Sequence, residues 1–164
     1  MLNLNLKFTG HPLTKREFNV MLRETFRVIG QKWHREMRPK HFTHAGAREY
    51  GYSPRKGEAG NRNRKGFASS YTGRKLRLVG HTRPLEFTGE ARRLSRIQDI
   101  RVTSKRVRII LPRKFNFRNP HSRVDMRKEI TTVSHREEQE LIAAADKDLD
   151  RRIKAWRPKR NVKI

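Results

Sequence analysis

Positive charge limits the ways in which this 164-residue chain can fold. It carries 41 Lys and Arg against 16 Asp and Glu, a formal net charge of +25, so a compact state repels itself unless a polyanion or an acidic partner offsets that charge. Nucleic acid is the commonest such polyanion, because each phosphate that a protein neutralises releases a counterion and favours binding. A charged surface that serves solubility alone is the plainer alternative, but +25 is large for so short a chain.

The charges are grouped along the chain. Nine basic residues lie between positions 53 and 83 with one acid, and ten lie between 101 and 128, again with one acid. Six of the sixteen acids fall instead between 137 and 150. Separate basic and acidic regions suit contacts between copies of the chain as well as binding of a polyanion.

The remaining composition predicts one soluble, non-secreted α+β domain over 1–156, with a basic tail at 157–164. Hydrophobic residues make up 34%, which is enough for one modest core. There is no cysteine, so disulfides and thiolate chemistry are excluded. No apolar run reaches the roughly 18 residues of a membrane span, and the first residues lack the pattern of a signal peptide.

Two long amphipathic helices are predicted near the two ends. Thr14 and Glu17 have the capping-box spacing, so a helix should start at about Lys15, and Pro39 should end it. Ser134 and Glu137 repeat that spacing before the second helix. Apolar residues at steps of three and four follow each cap. The stripes are Phe18, Met21, Leu22, Phe26, Ile29, Trp33 and Met37, and then Leu141, Ile142, Ala145, Leu149, Ile153 and Trp156.

Strict alternation of apolar and polar residues predicts a strand at 2–8, and a hairpin is predicted over 97–111 with a polar turn at 103–105. A further strand is predicted at 126–133. The order predicts an α+β fold in which two long helices pack on one face of a small antiparallel sheet.

Shorter helices are predicted at 43–50, at 69–79 with Tyr71, Leu76 and Val79 inward, and at 89–96 after an N-cap at Thr88. Gly, Asn, Pro and Arg dominate an exposed, mobile basic loop at about 51–68, and a second basic loop follows at 113–124.

Aromatic residues are interleaved with these basic residues. In a nucleic-acid-binding protein they would stack on bases, but without a recognised RNA-binding pattern we favour anchors that hold the loops to the core or to a neighbouring subunit. The residues predicted to contact nucleic acid are Arg55, Lys56, Arg62, Arg64, Lys65, Arg74, Lys75 and Arg77. Those predicted at a subunit interface are Tyr50, Tyr52, Tyr71, Phe115, Phe117, Glu137 and Glu138.

No motif predicts catalysis, a cofactor or a metal. His34, His41 and His44 could approach one another, but no further ligand is evident, so they are interpreted as packing or surface histidines. The Gly66–Gly73 segment has the wrong spacing for a phosphate-binding loop, and there is no Gly-x-Ser-x-Gly. Each acid that could serve a nuclease is flanked by Lys or Arg that can pair with it. We therefore predict no enzymatic activity.

Two stretches carry a resemblance to a known group of proteins. HFTHAGAREYGY-x-PR covers residues 41–55, and RK-x4-GHT-x-PL-x-FTGE covers residues 74–90, ahead of the predicted hairpin. The region from about 41 to 112 resembles the small neck, head–tail joining and tail-completion proteins of tailed bacteriophages, in which a similar Pro-Leu turn follows a long basic loop.

This resemblance implies a non-enzymatic subunit of the virion neck, assembled in the host cytoplasm, that forms a ring with copies of itself. Its other expected partners are a portal-side adaptor or head-closure protein, a tail terminator or tail tube, and packaged double-stranded DNA, with no membrane. Basic loops around a channel would hold the duplex by phosphate contacts without reading bases, and the acidic stretch would meet a neighbour's basic surface. A ribosomal-type or other RNA-binding protein is the alternative that the same charge and size allow.

Overall fold

A computed structural model describes residues 13–58, 62–86, 88–96, 99–112, 115 and 124–156. Over these residues the predicted α+β class is confirmed, with a long helix towards each end of the sequence and a two-stranded antiparallel sheet. The helices are α1 (Lys15–Lys32), α2 (His44–Glu49), α3 (Tyr71–Val79), α4 (Glu90–Ser95), α5 (Met126–Thr131) and α6 (His135–Ala155), and the strands are β1 (Ile100–Val102) and β2 (Val107–Ile109).

The chain divides into two compact units, each assembled from non-contiguous segments. We call the first the hairpin unit; its described residues are 13–33, 100–110 and 135–156. The second is the loop unit, formed by the described residues of 34–99 and 111–134. Because neither unit is one continuous stretch, cutting the chain at a single point cannot separate them. The single domain predicted over 1–156 stays a prediction.

The start of α1 is confirmed at the predicted capping box. The Thr14 hydroxyl accepts a hydrogen bond from the Glu17 amide at 3.3 Å, and the Glu17 carboxylate accepts one from the Thr14 amide at 3.0 Å. The predicted end is wrong: a π-helical segment, Trp33–Met37, and a 3₁₀ segment, Arg38–Phe42, follow α1. Pro39 lies in the first turn of the 3₁₀ segment, where its missing N–H loses no helical hydrogen bond, so the chain stays helical beyond it.

In the hairpin unit, α1 packs against both strands and against α6. The strands place Ile100 opposite Ile109 and Val102 opposite Val107, and these four apolar side chains are half-buried. Gly30 allows the strands to approach the helix, because a Cβ there would lie 2.7 Å from Val107 Cγ2 and 3.0 Å from Ile100 Cγ2. The hairpin predicted from alternation is therefore confirmed, and glycine sets its distance from α1.

A buried carboxylate joins α1 to α6. The Thr25 hydroxyl donates to Asp148 Oδ2 at 2.9 Å, Arg152 Nε donates to the same oxygen at 2.6 Å, and Arg151 donates to the other. Burial alone would raise the pKa of Asp148, but the hydrogen bonds from Arg152, Arg151 and Thr25 together hold it below its usual value. Asp148 thus belongs to the helix contact rather than to an acidic outer surface.

The loop unit has its own apolar core. Phe42, Leu85, Ala91, Phe115 and Ile130 form it, and the rings of Phe42 and Phe115 meet edge to face with their centroids 6.4 Å apart. These residues come from four separate stretches of sequence, so the core ties the segment after α1 to α5.

The strand predicted at 126–133 is wrong, because α5 occupies Met126–Thr131. Asp125 caps this helix through its carboxylate, which accepts a hydrogen bond from the Lys128 amide at 3.0 Å. Ile130 is fully buried, and its side chain packs this helix of six residues into the apolar core of the loop unit. The apolar residues Met126, Ile130 and Val133 stand four and three positions apart, which is the spacing of a helix rather than of a strand.

The helix predicted at 69–79 is confirmed as α3, but the inward position of Tyr71 is wrong. Its side chain is 41% exposed, whereas Thr72 and Lys75 are buried. α4 begins one residue later than predicted, because its N-cap is Gly89, with φ 84°, rather than Thr88. A left-handed backbone at this position favours glycine.

Some predictions fall outside the described residues. They concern the strand at 2–8, the tail at 157–164, Phe117 and most of the second basic loop at 113–124.

Candidate nucleic-acid interface

Two of the eight cations predicted to contact nucleic acid are used inside the loop unit. Arg55 forms a bidentate ion pair with Glu129, with one N–H donating to Oε1 at 2.9 Å, and the two side chains are only 12% and 9% exposed. Lys75 is 3% exposed and donates to the carbonyl of Arg83. Burial is the largest cause that lowers its pKa to about 8. Neither side chain is available to a ligand.

The other six predicted cations are exposed in the loop unit. We call this set the loop surface, and it consists of Lys56, Arg62, Arg64, Lys65, Arg74 and Arg77. Arg74 and Arg77 lie three residues apart on α3 and therefore on one face of that helix.

Hydrogen bonds hold the described parts of the loop at 51–68 against the start of α3. The Lys56 carbonyl accepts from the Thr72 amide at 3.3 Å and from its hydroxyl at 3.1 Å. The Ser70 hydroxyl caps α3 by accepting from the Gly73 amide at 3.1 Å. A Cβ at Gly73 would lie 2.0 Å from the Phe67 carbonyl oxygen. These contacts position the cations of the loop beside those of α3.

A cleft lies within the loop unit beside these residues. Its lining includes His44, Arg48, Arg62, Phe67 and Thr82, together with one acid, Glu58. Guanidinium, imidazole and hydroxyl groups beside an aromatic ring can bind phosphate oxygens and stack on a base. Of these residues only Arg62 was singled out from the sequence as a contact, because His44 and Arg48 stand on the short helix α2 outside the basic loop.

The aromatic residues predicted at a subunit interface differ in how deeply they are buried. Phe115 is fully buried in the core of the loop unit, and Tyr50 is buried and stacked on His41 with ring centroids 4.0 Å apart. Tyr52 donates its hydroxyl proton to the Glu129 carbonyl at 2.9 Å. These three anchor the loop unit internally, and among the predicted interface aromatics that the structure describes Tyr71 alone is exposed.

The two predicted interface acids also differ. Glu137 is fully buried, whereas Glu138 is exposed on α6. With Asp148 buried as well, the acidic stretch at 137–150 does not form one acidic outer face.

The histidine considered as a metal ligand, His41, is part of the core network instead. The Tyr52 hydroxyl has a single proton, which goes to the Glu129 carbonyl. The close contact between His41 Nδ1 and the Tyr52 oxygen is therefore an Nδ1–H donating to that oxygen. Burial lowers the pKa of His41 to about 4, so the ring is neutral near pH 7. Among the described residues no group of three or more His, Asp or Glu side chains could hold a metal ion.

Much of the 41–55 motif is thus architectural. Thr43 caps α2 by accepting from the Gly46 amide at 3.0 Å, and a Cβ at Gly46 would lie 2.1 Å from the Lys40 carbonyl oxygen.

The buried acids of the loop unit face its own cations: Glu86 lies 3.8 Å from Arg83, as Glu129 lies against Arg55. Glu49, Glu58 and Glu90 of the same unit are exposed, so its outer surface carries acids as well, though fewer than cations.

Comparisons of the chain with protein-family models, curated proteins and solved structures find no match. None of the helices in the described ranges combines the length and the apolar character needed to cross a membrane.

Proposed function

We propose that this chain is a non-enzymatic structural subunit of a tailed-phage neck, or head–tail connector, which forms a ring and holds duplex DNA through phosphate contacts. One observation carries the proposal: the six cations of the loop surface are exposed, while Glu86 and Glu129 in the same unit are buried against arginines. The phage assignment itself rests on the resemblance of residues 41–112.

Charge arranged in this way supports binding that does not depend on base sequence. Arg62, Arg64 and Lys65 are exposed in turns, and Arg74 and Arg77 on a helix of nine residues. Flexible cationic side chains of this kind contact phosphate oxygens and position a protein on the duplex without reading it. A ring of copies would repeat the loop surface around a channel and raise the local positive potential.

Binding and assembly are tested on the purified full chain. Native mass spectrometry and negative-stain images should show closed rings, alone or after addition of duplex DNA. Fluorescence anisotropy with two unrelated 20-base-pair duplexes should give equal affinities. Each phosphate contact adds about 0.9 to the slope of log affinity against log salt.

The loop surface is tested by the triple variant Arg62→Gln, Arg64→Gln, Lys65→Gln. If each residue contacts a phosphate, the salt slope should fall by about 2.7, with little change in thermal midpoint because all three are exposed. The matched control removes three exposed charges of α6 (Arg136→Gln, Lys147→Gln, Lys154→Gln) and should change the slope less. A monomer that ignores polyanions, or a chain that turns over nucleic acid, would refute the proposal.

The RNA-binding alternative has one observation in its favour. Tyr71 is 41% exposed and lies one turn from Arg74 on α3, a pairing suited to stacking on an unpaired base. Preference for single-stranded RNA over duplex DNA, lost in Tyr71→Ala and accompanied by one protein copy per RNA, would favour this function over the neck subunit.

A further inference from the structure

The hairpin unit carries a second basic surface that was not singled out from the sequence. β1 and β2 place Arg101 directly opposite Arg108, and both side chains are exposed. Lys105 and Arg106, in and after the turn, are exposed as well. The sequence contains no acid from 100 to 124. Like charges directly opposite each other on a two-stranded ribbon repel, so the facing arginines concentrate positive charge on this side of the hairpin.

The opposite face of the hairpin holds it in a defined orientation. Ile100, Val102, Val107 and Ile109 are half-buried, and the hairpin packs on α1 at Gly30. Since side chains alternate between the two faces of a strand, Arg101 and Arg108 must point away from α1. The alternation of Ile100-Arg101-Val102 and Val107-Arg108-Ile109 was the signal in the sequence that identifies this face.

An open groove lies between the turn of the hairpin and the first turns of α1. Lys15, Arg16 and Arg23 line it from the helix, and Thr103 and Ser104 line it from the turn.

The groove offers the chemistry of an anion site. Cations and hydroxyl groups are donors to anionic oxygen, and the amino-terminal end of α1 adds the positive end of a helix dipole. The acid in the first turn of α1, Glu17, is engaged by Thr14. Val20 and Val102 add apolar lining, and Arg23 lies 3.9 Å from Glu24, so Lys15 and Arg16 are the cations of the groove that no acid among the described residues approaches this closely.

We propose that the basic face of the hairpin and this groove together form a binding site for the phosphate backbone of a double-stranded nucleic acid. The two parts lie on opposite sides of the hairpin: the groove, on the side of α1, receives one phosphate backbone at the turn, and Arg101 and Arg108, on the other side, contact the backbone that faces them. A two-stranded ribbon is narrow enough to lie in a major groove about 12 Å wide, so the flanking phosphates come within reach of long arginine side chains. The inference rests on the proposed function in that nucleic acid is the partner, but its residues belong to the hairpin unit rather than to the loop unit.

The test compares two double variants of the full chain by fluorescence anisotropy. One is Arg106→Gln with Arg108→Gln, and its matched control is Arg136→Gln with Lys147→Gln on α6, which removes the same charge outside the groove and the hairpin. Each protein is titrated onto a 20-base-pair DNA duplex and onto an RNA duplex of the same sequence, between 50 and 200 mM salt.

We expect the hairpin variant to bind at least tenfold more weakly at 50 mM salt, with a salt slope lower by about 1.8 if both residues contact phosphates, while the control changes less. Its thermal midpoint should stay level or rise, because a like-charge pair has been removed. Equal losses on both duplexes identify a common phosphate contact, and a loss on one of them identifies the nucleic acid that the site takes.

Unchanged affinity and slope in the hairpin variant would overturn this inference. If the loop-surface variant still loses binding, the proposed function survives; if the unaltered chain binds neither duplex, both fail. Should the hairpin variant lose thermal stability, Arg23→Gln decides the question from the helix side of the groove. If Arg23→Gln lowers the affinity for the duplexes without changing the thermal midpoint, the site is supported. If the affinity is unchanged, the site is rejected.

Discussion

The contact between Gly30 and the hairpin gives the sharpest test of how the hairpin unit is built. Replacing Gly30 by Ala in the interior of a helix would ordinarily stabilise it by about 1 kcal/mol. Here the new Cβ would lie 2.7 Å from Val107 Cγ2 and 3.0 Å from Ile100 Cγ2. Both neighbours are β-branched and stiff, so they cannot swing aside, and overpacking of this kind costs about 1–3 kcal/mol.

The two effects together predict that Gly30→Ala is destabilising by up to about 2 kcal/mol. For a chain of this size each kcal/mol lowers the thermal midpoint by roughly 2–4 °C. Urea and thermal unfolding followed by circular dichroism measure the change.

A double-mutant cycle with Val107→Ala separates the clash from other effects. Removing the Val107 methyl groups makes room for the new Cβ, so Gly30→Ala should cost about 1 kcal/mol less in that background than in the unaltered chain. If Gly30→Ala instead stabilises the unaltered chain by the full helix-propensity gain, the hairpin is not seated on α1 as described. The orientation of its basic face would then lose its physical basis.

Three further outcomes are expected. Phe115→Ala should lower the free energy of unfolding by about 3–5 kcal/mol, because the ring is fully buried in the core of the loop unit; a subunit-interface residue would instead alter assembly and leave denaturation of the isolated chain unchanged. Burial holds the pKa of His41 at about 4, below an unfolded value near 6.5, so the stability that this neutral ring contributes is present above about pH 6.5 and is lost as the pH falls towards 4, by up to about 3 kcal/mol. Urea unfolding at pH 7 and pH 4.5 measures this loss, and His41→Gln should reduce it; identical pH dependence in the two proteins would contradict the argument. The pKa of Asp148 is lowered by its hydrogen bonds against the raising effect of burial, so its contribution is present above its unfolded pKa near 3.8 and disappears below that pH, and Asp148→Asn should be less stable at pH 7 and show a smaller loss in acid.

The arrangement of acids explains how so basic a chain remains compact. Glu129 and Asp148 are buried and each meets arginines, one pair within the loop unit and one group within the hairpin unit. Removing one partner from a buried pair leaves an uncompensated charge, at a cost of about 3–5 kcal/mol. These two carboxylates therefore act inside the fold, whereas acids such as Glu58 and Glu138 are exposed and share the surface with a larger number of cations.

Local patterns in the sequence were sufficient for the start of α1, for the presence of α6 and for the hairpin. The Thr14–Glu17 cap and the apolar stripe after it predict α1, and alternation around 103–105 predicts the hairpin, because each signal involves residues within four positions of one another. Local reasoning was wrong at 126–133, where Met126, Ile130 and Val133 follow steps of four and three, the spacing of a helix, and were interpreted as a strand.

The chain's own sequence determined its net charge, its α+β class, the start of α1 and the place of the hairpin. Which cations remain exposed was decided only by tertiary structure. Arg55 and Arg62 lie in one basic stretch, yet Arg55 is bound by Glu129, 74 residues away, while Arg62 is exposed. An ion pair between residues far apart in the sequence depends on how the chain between them packs. The residues next to Arg55 and Arg62 in the sequence therefore do not show which of the two will be paired.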